Sequence, residues 1–248
     1  MSLRQHKLAI ALLASSALLV GTAAATSSRS ATKVNGSKPI PLDAATVIVE
    51  INDTDGDAGL QVFLDAEPWN SMTVSGPDGR RIRDLLQIDA QGRLESYGLT
   101  ELFSESNEPP FDVFPLKKFK KLFPEGRYTF EGTTIEGERL VGRARLSHDF
   151  PDGPESMAPA DGATVGTRGV VARWGAGNQP RGVDITGYRV IVTREDPLRV
   201  FTADLRPSVE AVRIPSSFLE RGTEYQLEIQ AIEESGNQTS TDTTFQVE

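Results

Sequence analysis

The sequence predicts an all-β protein: two β-sandwich domains in tandem, behind a signal peptide and a flexible tether. Three observations predict this. Apolar residues recur at every second position through most of residues 42–248, turn-forming residues interrupt these runs at short intervals, and only one stretch, PLKKFKKLFP, has helical spacing. Alternation with period two marks half-buried antiparallel strands, and closely spaced turns are what a sandwich or barrel requires.

The chain opens on MSLRQHKLAIALLASSALLVGTAAA, residues 1–25, with Arg4 and Lys7 before an apolar run and small residues up to Ala25. This is the pattern of a secretory signal peptide. An uncleaved anchor is the competing reading, but Ser15 and Ser16 interrupt a run shorter than the roughly 20 apolar residues a spanning helix needs. A secreted or periplasmic location is expected, with no membrane insertion after cleavage. Residues 26–41 are rich in Ser, Thr and Ala and lack apolar periodicity, so they read as a tether.

The sequence contains no cysteine, so neither disulfides nor a lipidated cysteine hold the exported protein. Removing Arg4 and Lys7 with the signal leaves 24 basic against 35 acidic residues, a charge of −11. That balance argues against nucleic acid and anionic membrane as partners. The Pro-, Gly- and acid-rich break HDFPDGPESMAP, 148–159, separates two periodic regions and sets the domains at 42–151 and 157–248.

In the first domain, Val47, Val49 and Ile51 share one face of a strand, as do Leu60, Val62 and Leu64. Leu140, Ala144 and Leu146 oppose Val141, Arg143 and Arg145. Turns are expected at GPDG (76–79), AQG (90–92), PEG (124–126) and IEGE (135–138). Trp69 is the expected core plug. In PLKKFKKLFP, Leu116, Phe119 and Leu122 or Phe123 face inward, which makes Lys117, Lys118, Lys120 and Lys121 a solvated face; a basic patch for an acidic ligand is the other reading.

In the second domain, Val170, Ala172 and Trp174 share a face, as do Tyr188, Val190 and Val192, and Tyr225, Leu227, Ile229 and Ala231. The order Pro159, Trp174, GYRVIV, FLERGTEYQLEIQAIEESGNQTS and FQV resembles a fibronectin type III domain over the whole of 157–248. Leu219 to Tyr225 resembles that family's tyrosine corner, and SGN its following loop. The resemblance implies a binding or spacing module without enzymatic activity. RGVD at 181–184 is not the integrin-binding tripeptide, so Arg181 and Asp184 read as loop charges. LFPEGRYTF, with Leu122 six residues before Tyr128, echoes the same corner and suggests a second immunoglobulin-like sandwich. Through DGDAGLQ, GLTELFSESNEPPF and SHDFP, this half also loosely resembles an uncharacterised domain of exported bacterial proteins.

For nucleophilic catalysis the mature chain offers His148 alone, since His6 leaves with the signal. Ser147 and Asp149 flank it, but neighbours in an extended segment point to opposite faces, and no GxSxG elbow occurs. No catalytic residue is assigned. A carbohydrate-active hydrolase is the alternative function, and it would need two of Glu101, Glu105, Glu108 and Asp112 at catalytic separation.

Asp53, Asp55 and Asp57 alternate around Gly56, a spacing that suits a hard cation such as Ca²⁺. Leu64 stands where an EF-hand loop ends on glutamate and Ala58 where it needs glycine, so the loop departs from the EF-hand pattern. A weak Ca²⁺ site and an ordinary acidic turn both remain open. The expected function is binding or spacing, toward an envelope or extracellular protein or a polysaccharide.

Overall fold

A computed structural model describes residues 38–77 and 84–248. The expected signal peptide, residues 1–25, and residues 26–37 lie outside the described residues. In chain order the elements are β1 (Ile40–Pro41), β2 (Ala44–Asn52), β3 (Asp57–Ser75), β4 (Asp84–Asp89), α1 (Arg93–Tyr97), β5 (Leu99–Glu105), α2 (Leu116–Leu122), β6 (Gly126–Thr134) and β7 (Arg139–Leu146). There follow β8 (Glu155–Ala158), β9 (Ala163–Val165), β10 (Val171–Gly175), β11 (Ile185–Arg194), β12 (Arg199–Leu205), β13 (Ala211–Arg213), β14 (Thr223–Glu233) and β15 (Gln238–Val247). The protein is all-β, and no helix among the described residues is long and apolar enough to cross a membrane.

In the N-terminal half the 19-residue β3 serves two layers. Its first part pairs with β2 on one side and β5 on the other; its second part pairs with β4 and β6, and β7 and β1 continue that layer. Register shifts near Asp65 to Ser71 mark the corner, where Pro68 lacks a ladder donor and a bulge lets the strand turn. Where an immunoglobulin-like sandwich keeps separate strands for its two sheets, here one bent strand supplies both. Trp69 plugs the corner, fully buried, and its indole N–H donates to the Thr100 carbonyl at 3.3 Å.

The inward faces follow the alternation: Val47, Val49, Ile51, Leu60, Val62, Leu64, Leu140 and Leu146 are buried. Pairing begins earlier than the composition implies. Ile40 and Pro41 lie parallel to Leu140 and Val141, so the end of the 26–41 stretch belongs to the sheet. Helix α2 turns Phe119 into the core and leaves Leu122 exposed. The short α1 buries no residue, and without an apolar face it leaves no periodic trace in the sequence.

The C-terminal half is a two-layer sandwich. One layer runs β13-β10-β8; the other runs β12-β11-β14-β15, with β9 parallel to the edge of β15. Trp174 meets Tyr188 edge-on at 5.4 Å between centroids, and Tyr225 stacks on Phe245 at 5.5 Å. Such pairs add to simple area burial.

Two hydrophobic clusters result, one drawn from 47–146 and the other from 170–247. The sheet nevertheless runs on between them, because Gln238, Thr239 and Ser240 of β15 lie parallel to Glu50, Ile51 and Asn52 of β2.

Candidate functional site

The seam between the halves is held by polar groups. The β14–β15 turn carries Glu233, Ser235, Gly236 and Asn237; Gly236 adopts φ 92°, and the Glu233 carboxylate accepts the backbone N–H groups of Ser235 at 2.8 Å and Asn237 at 3.1 Å. That turn presents Asn237, which is fully buried. Its side-chain oxygen accepts the Val49 N–H at 2.9 Å. Its amide donates to the Ser147 carbonyl, the Ser147 hydroxyl and the Asp149 carbonyl at 2.9–3.2 Å. Thr239 donates to the Pro151 carbonyl at 2.6 Å, and the Asp53 carboxylate accepts the Gly153 N–H at 3.2 Å.

The Pro-rich connection is therefore pinned rather than loose. His148 belongs to it: its Nε2 lies 2.8 Å from the Phe123 carbonyl while its backbone N–H reaches Glu125. Ser147 turns instead to Asn237 and Ser235, so the three neighbours form no triad.

On one face of the seam, alternate residues of five strands form a polar row. Gln61 donates to both Glu50 and Glu105 at 2.8 Å. Gln238 donates to Glu50, and Gln230 bridges Glu228 at 2.6 Å and Glu50 at 3.4 Å. Burial pushes the Glu50 carboxyl up to about 7; the Gln238 amide opposes the rise, and Glu105 and Asp242 add to it. Burial likewise pushes Glu228 up to about 8, with Glu50 and Asp242 adding repulsion and Gln230 opposing. A carboxyl in this state is largely neutral in mildly acidic medium and can donate as well as accept. The row acts as a hydrogen-bonded seam that charge would strain.

The aspartate turn lies at the end of this seam. Asn52 accepts the Thr54 and Asp55 N–H groups, which closes an Asx-type turn completed by Gly56 at φ 65°. Asn52 also donates to Asp242 at 3.0 Å, and Thr54 accepts the Asp242 N–H at 2.8 Å. Asp53 points to the connection, where burial raises its carboxyl and the Gly153 bond partly offsets that. Among the described residues no three acidic or histidine side chains form a metal-holding group, and the Asp53 carboxylate is engaged by the Gly153 N–H.

The four hydrolase candidates lie along β5 and the segment after it, with Glu105 and Glu108 at neighbouring positions of one β3 face, Gln61 and Gly59. Glu101 and Glu105 pair with Asp65 and Gln61 along β5, Glu108 lies against Gly59, and Asp112 is exposed in a turn. A depression of about 640 Å³ beside β6 and β7 is lined by none of these four.

Within the second half, Tyr225 is buried, its hydroxyl accepts the Glu220 N–H at 2.9 Å, and it donates to the Phe218 carbonyl at 3.2 Å. This is the tyrosine corner that 219–225 resembles. The C-terminal half is thus a two-layer β-sandwich closed by this corner. Tyr128 makes the corresponding bond in the first half, donating to the Pro124 carbonyl at 3.0 Å.

No known family profile matches the chain, and no curated protein matches it. Solved fibronectin type III structures do. The FN1–FN3 domains of chicken CNTN1 match over 84% of this chain at 10% identity and TM-score 0.28, and this chain spans 65% of that one. A two-domain fibronectin type III segment of chicken tenascin matches over 83% at 12% identity and TM-score 0.30, with 98% of its length covered.

Sequence reasoning missed Glu50, Glu228, Asn237 and Gln238. Each alternates outward or lies in a turn, the signature of solvated positions. The one available hint is the density of Gln and Glu in EYQLEIQAIEESGNQ, unusual for a strand facing only water.

Proposed function

We propose that the protein is an exported, non-enzymatic binding and spacing module whose two β units, 42–151 and 157–248, work as one stiff piece in the periplasm or outside the cell. The observation that carries this reading is the pinned connection: Asn237 and Thr239 of one unit hold residues 147–151, which lead out of the other. Independent domains on a free linker change their relative orientation by default. Here the fused sheet and the buried amide oppose that motion, which suits a spacer presenting loops at a set distance. The partner is an envelope or extracellular protein or a polysaccharide, consistent with the signal-like first 25 residues and the acidic mature chain. Two experiments test the reading. Fractionation of cells producing the full chain should recover it outside the cytoplasm, and the purified chain should be retained by an isolated cell-envelope fraction. Cytoplasmic recovery, or no retention by the envelope, overturns it.

A further inference from the structure

The outer face of β6 and β7 departs from the acidic character of the chain. Its outward positions are Arg127, Thr129, Glu131 and Thr133 on β6 and Arg139, Val141, Arg143 and Arg145 on β7. Arg139 pairs with Glu131. Glu125, at the rim, accepts the His148 N–H at 2.8 Å. Arg127 stands directly opposite Arg145, and Arg143 follows on the same face opposite Thr129.

Directly opposed side chains on a sheet have Cβ atoms about 5 Å apart, and like charges placed so destabilise the pair. Residues two apart along a strand are separated by about 7 Å. Among the described residues no ion pair relieves Arg127, Arg143 or Arg145. All three line the depression of about 640 Å³, with Glu125, Gly126, Ala144 and Leu146. In a chain of charge −9, three exposed guanidiniums gathered at one concavity beside a single carboxylate, Glu125, form a locally positive site suited to an external anion.

We propose that Arg127, Arg143 and Arg145 form a binding site for an acidic polysaccharide, their guanidiniums pairing with carboxylate or sulfate groups along the sugar chain. This rests on the binding-module reading above and names its ligand class. Guanidinium forks match such oxyanions in two-pronged geometry, and an extended sheet face suits an extended polymer. Other polyanions fit less well. No aromatic side chain projects from this face to stack a nucleobase, because Tyr128 and Phe130 point inward and are buried. The same lack leaves no aromatic anchor of the kind that dominates protein interfaces.

The test uses the purified full chain with heparin as a sulfated probe and polygalacturonate as a carboxylated one. The parent should bind at least one of them at low salt and lose affinity as salt rises. The Arg127→Gln, Arg143→Gln, Arg145→Gln variant should bind about a hundredfold more weakly, taking roughly fivefold for each charge-assisted contact. Lys117→Gln, Lys118→Gln, Lys121→Gln removes the same charge from α2 and should leave affinity unchanged. Lysines in place of the three arginines should recover only part of it. The probe should also raise the melting midpoint of the parent and not that of the arginine variant. Should the triple variant fail to fold, Arg143→Gln alone, which faces Thr129, should still weaken binding about fivefold. No binding of either probe by the parent, equal binding by the arginine variant, or an equal loss in the lysine variant overturns the site. Binding of anionic vesicles without either polysaccharide overturns it too. Envelope retention that survives in the arginine variant defeats the site alone, whereas absence of retention in the parent defeats the module reading.

Discussion

Raising the pH should loosen the seam, and Glu50 sets the scale. Its carboxyl stands at about 7 against an ordinary value of 4.5, chiefly because burial penalises the charged form. The folded protein therefore holds a proton on this group at pH values where the unfolded chain has released it. Stability from this source is fully present below pH 4.5 and is lost as pH climbs through 7. Glu228 extends the window to about 8. At about 1.4 kcal/mol per pH unit, the Glu50 displacement corresponds to about 3 kcal/mol. The two groups share Gln230 and repel each other, so their effects do not add. For a chain of this size about 3 kcal/mol shifts the melting midpoint by about 6 to 12 °C.

The assay is a series of thermal melts of the full chain from pH 5 to pH 9, with Glu50→Gln and Glu228→Gln in parallel. Glutamine keeps the shape and the hydrogen-bonding capacity of a protonated glutamate and cannot ionise. The parent should lose stability from pH 5 to 8 and level off, and each variant should flatten part of that slope. A parent midpoint that does not move across this range, or a Glu50→Gln curve parallel to the parent's, would refute the account.

Three further outcomes are expected. Tyr225→Phe should cost about 1 to 2 kcal/mol by removing a hydroxyl that serves two backbone partners, and Tyr225→Ala about 3 to 5 kcal/mol; Asp184→Ala should stay within about 0.5 kcal/mol, and denaturant melts compare them. Residues 157–248 alone should unfold cooperatively, since their core is self-contained, whereas Asn237→Ala in the full chain should cost about 2 to 4 kcal/mol by leaving the Val49 N–H unpaired and should speed proteolysis within 147–154. The Ca²⁺ reading of Asp53, Asp55 and Asp57 requires a raised midpoint in about 2 mM Ca²⁺, given about 0.1 to 1 mM affinity for extracellular sites of this kind, and abolition of that shift by Asp55→Asn with Asp57→Asn; equal midpoints in Ca²⁺ and chelator reject it.

The all-β class, the inward faces of the strands, Trp69 as core plug and the Tyr225 corner were legible in the sequence alone. Each depends on local periodicity or on residues a few positions apart, and burying alternate apolar side chains has one economical solution. The seam was not legible. Glu50 and Gln238 are 188 residues apart, as are Val49 and Asn237, and each alternates like a solvated residue. Only the folding of one half against the other removes water from them. The bent β3 was hidden for a related reason: the alternation marks Leu60, Val62 and Leu64 as one face, and only pairing with β4, β5 and β6 shows that the same strand runs past Pro68 and Trp69 to serve two layers. The arginine face fell between the two. The alternation put Arg143 and Arg145 outward, but the register that sets Arg127 against Arg145 is a tertiary fact, because pairing decides which charges must share a face.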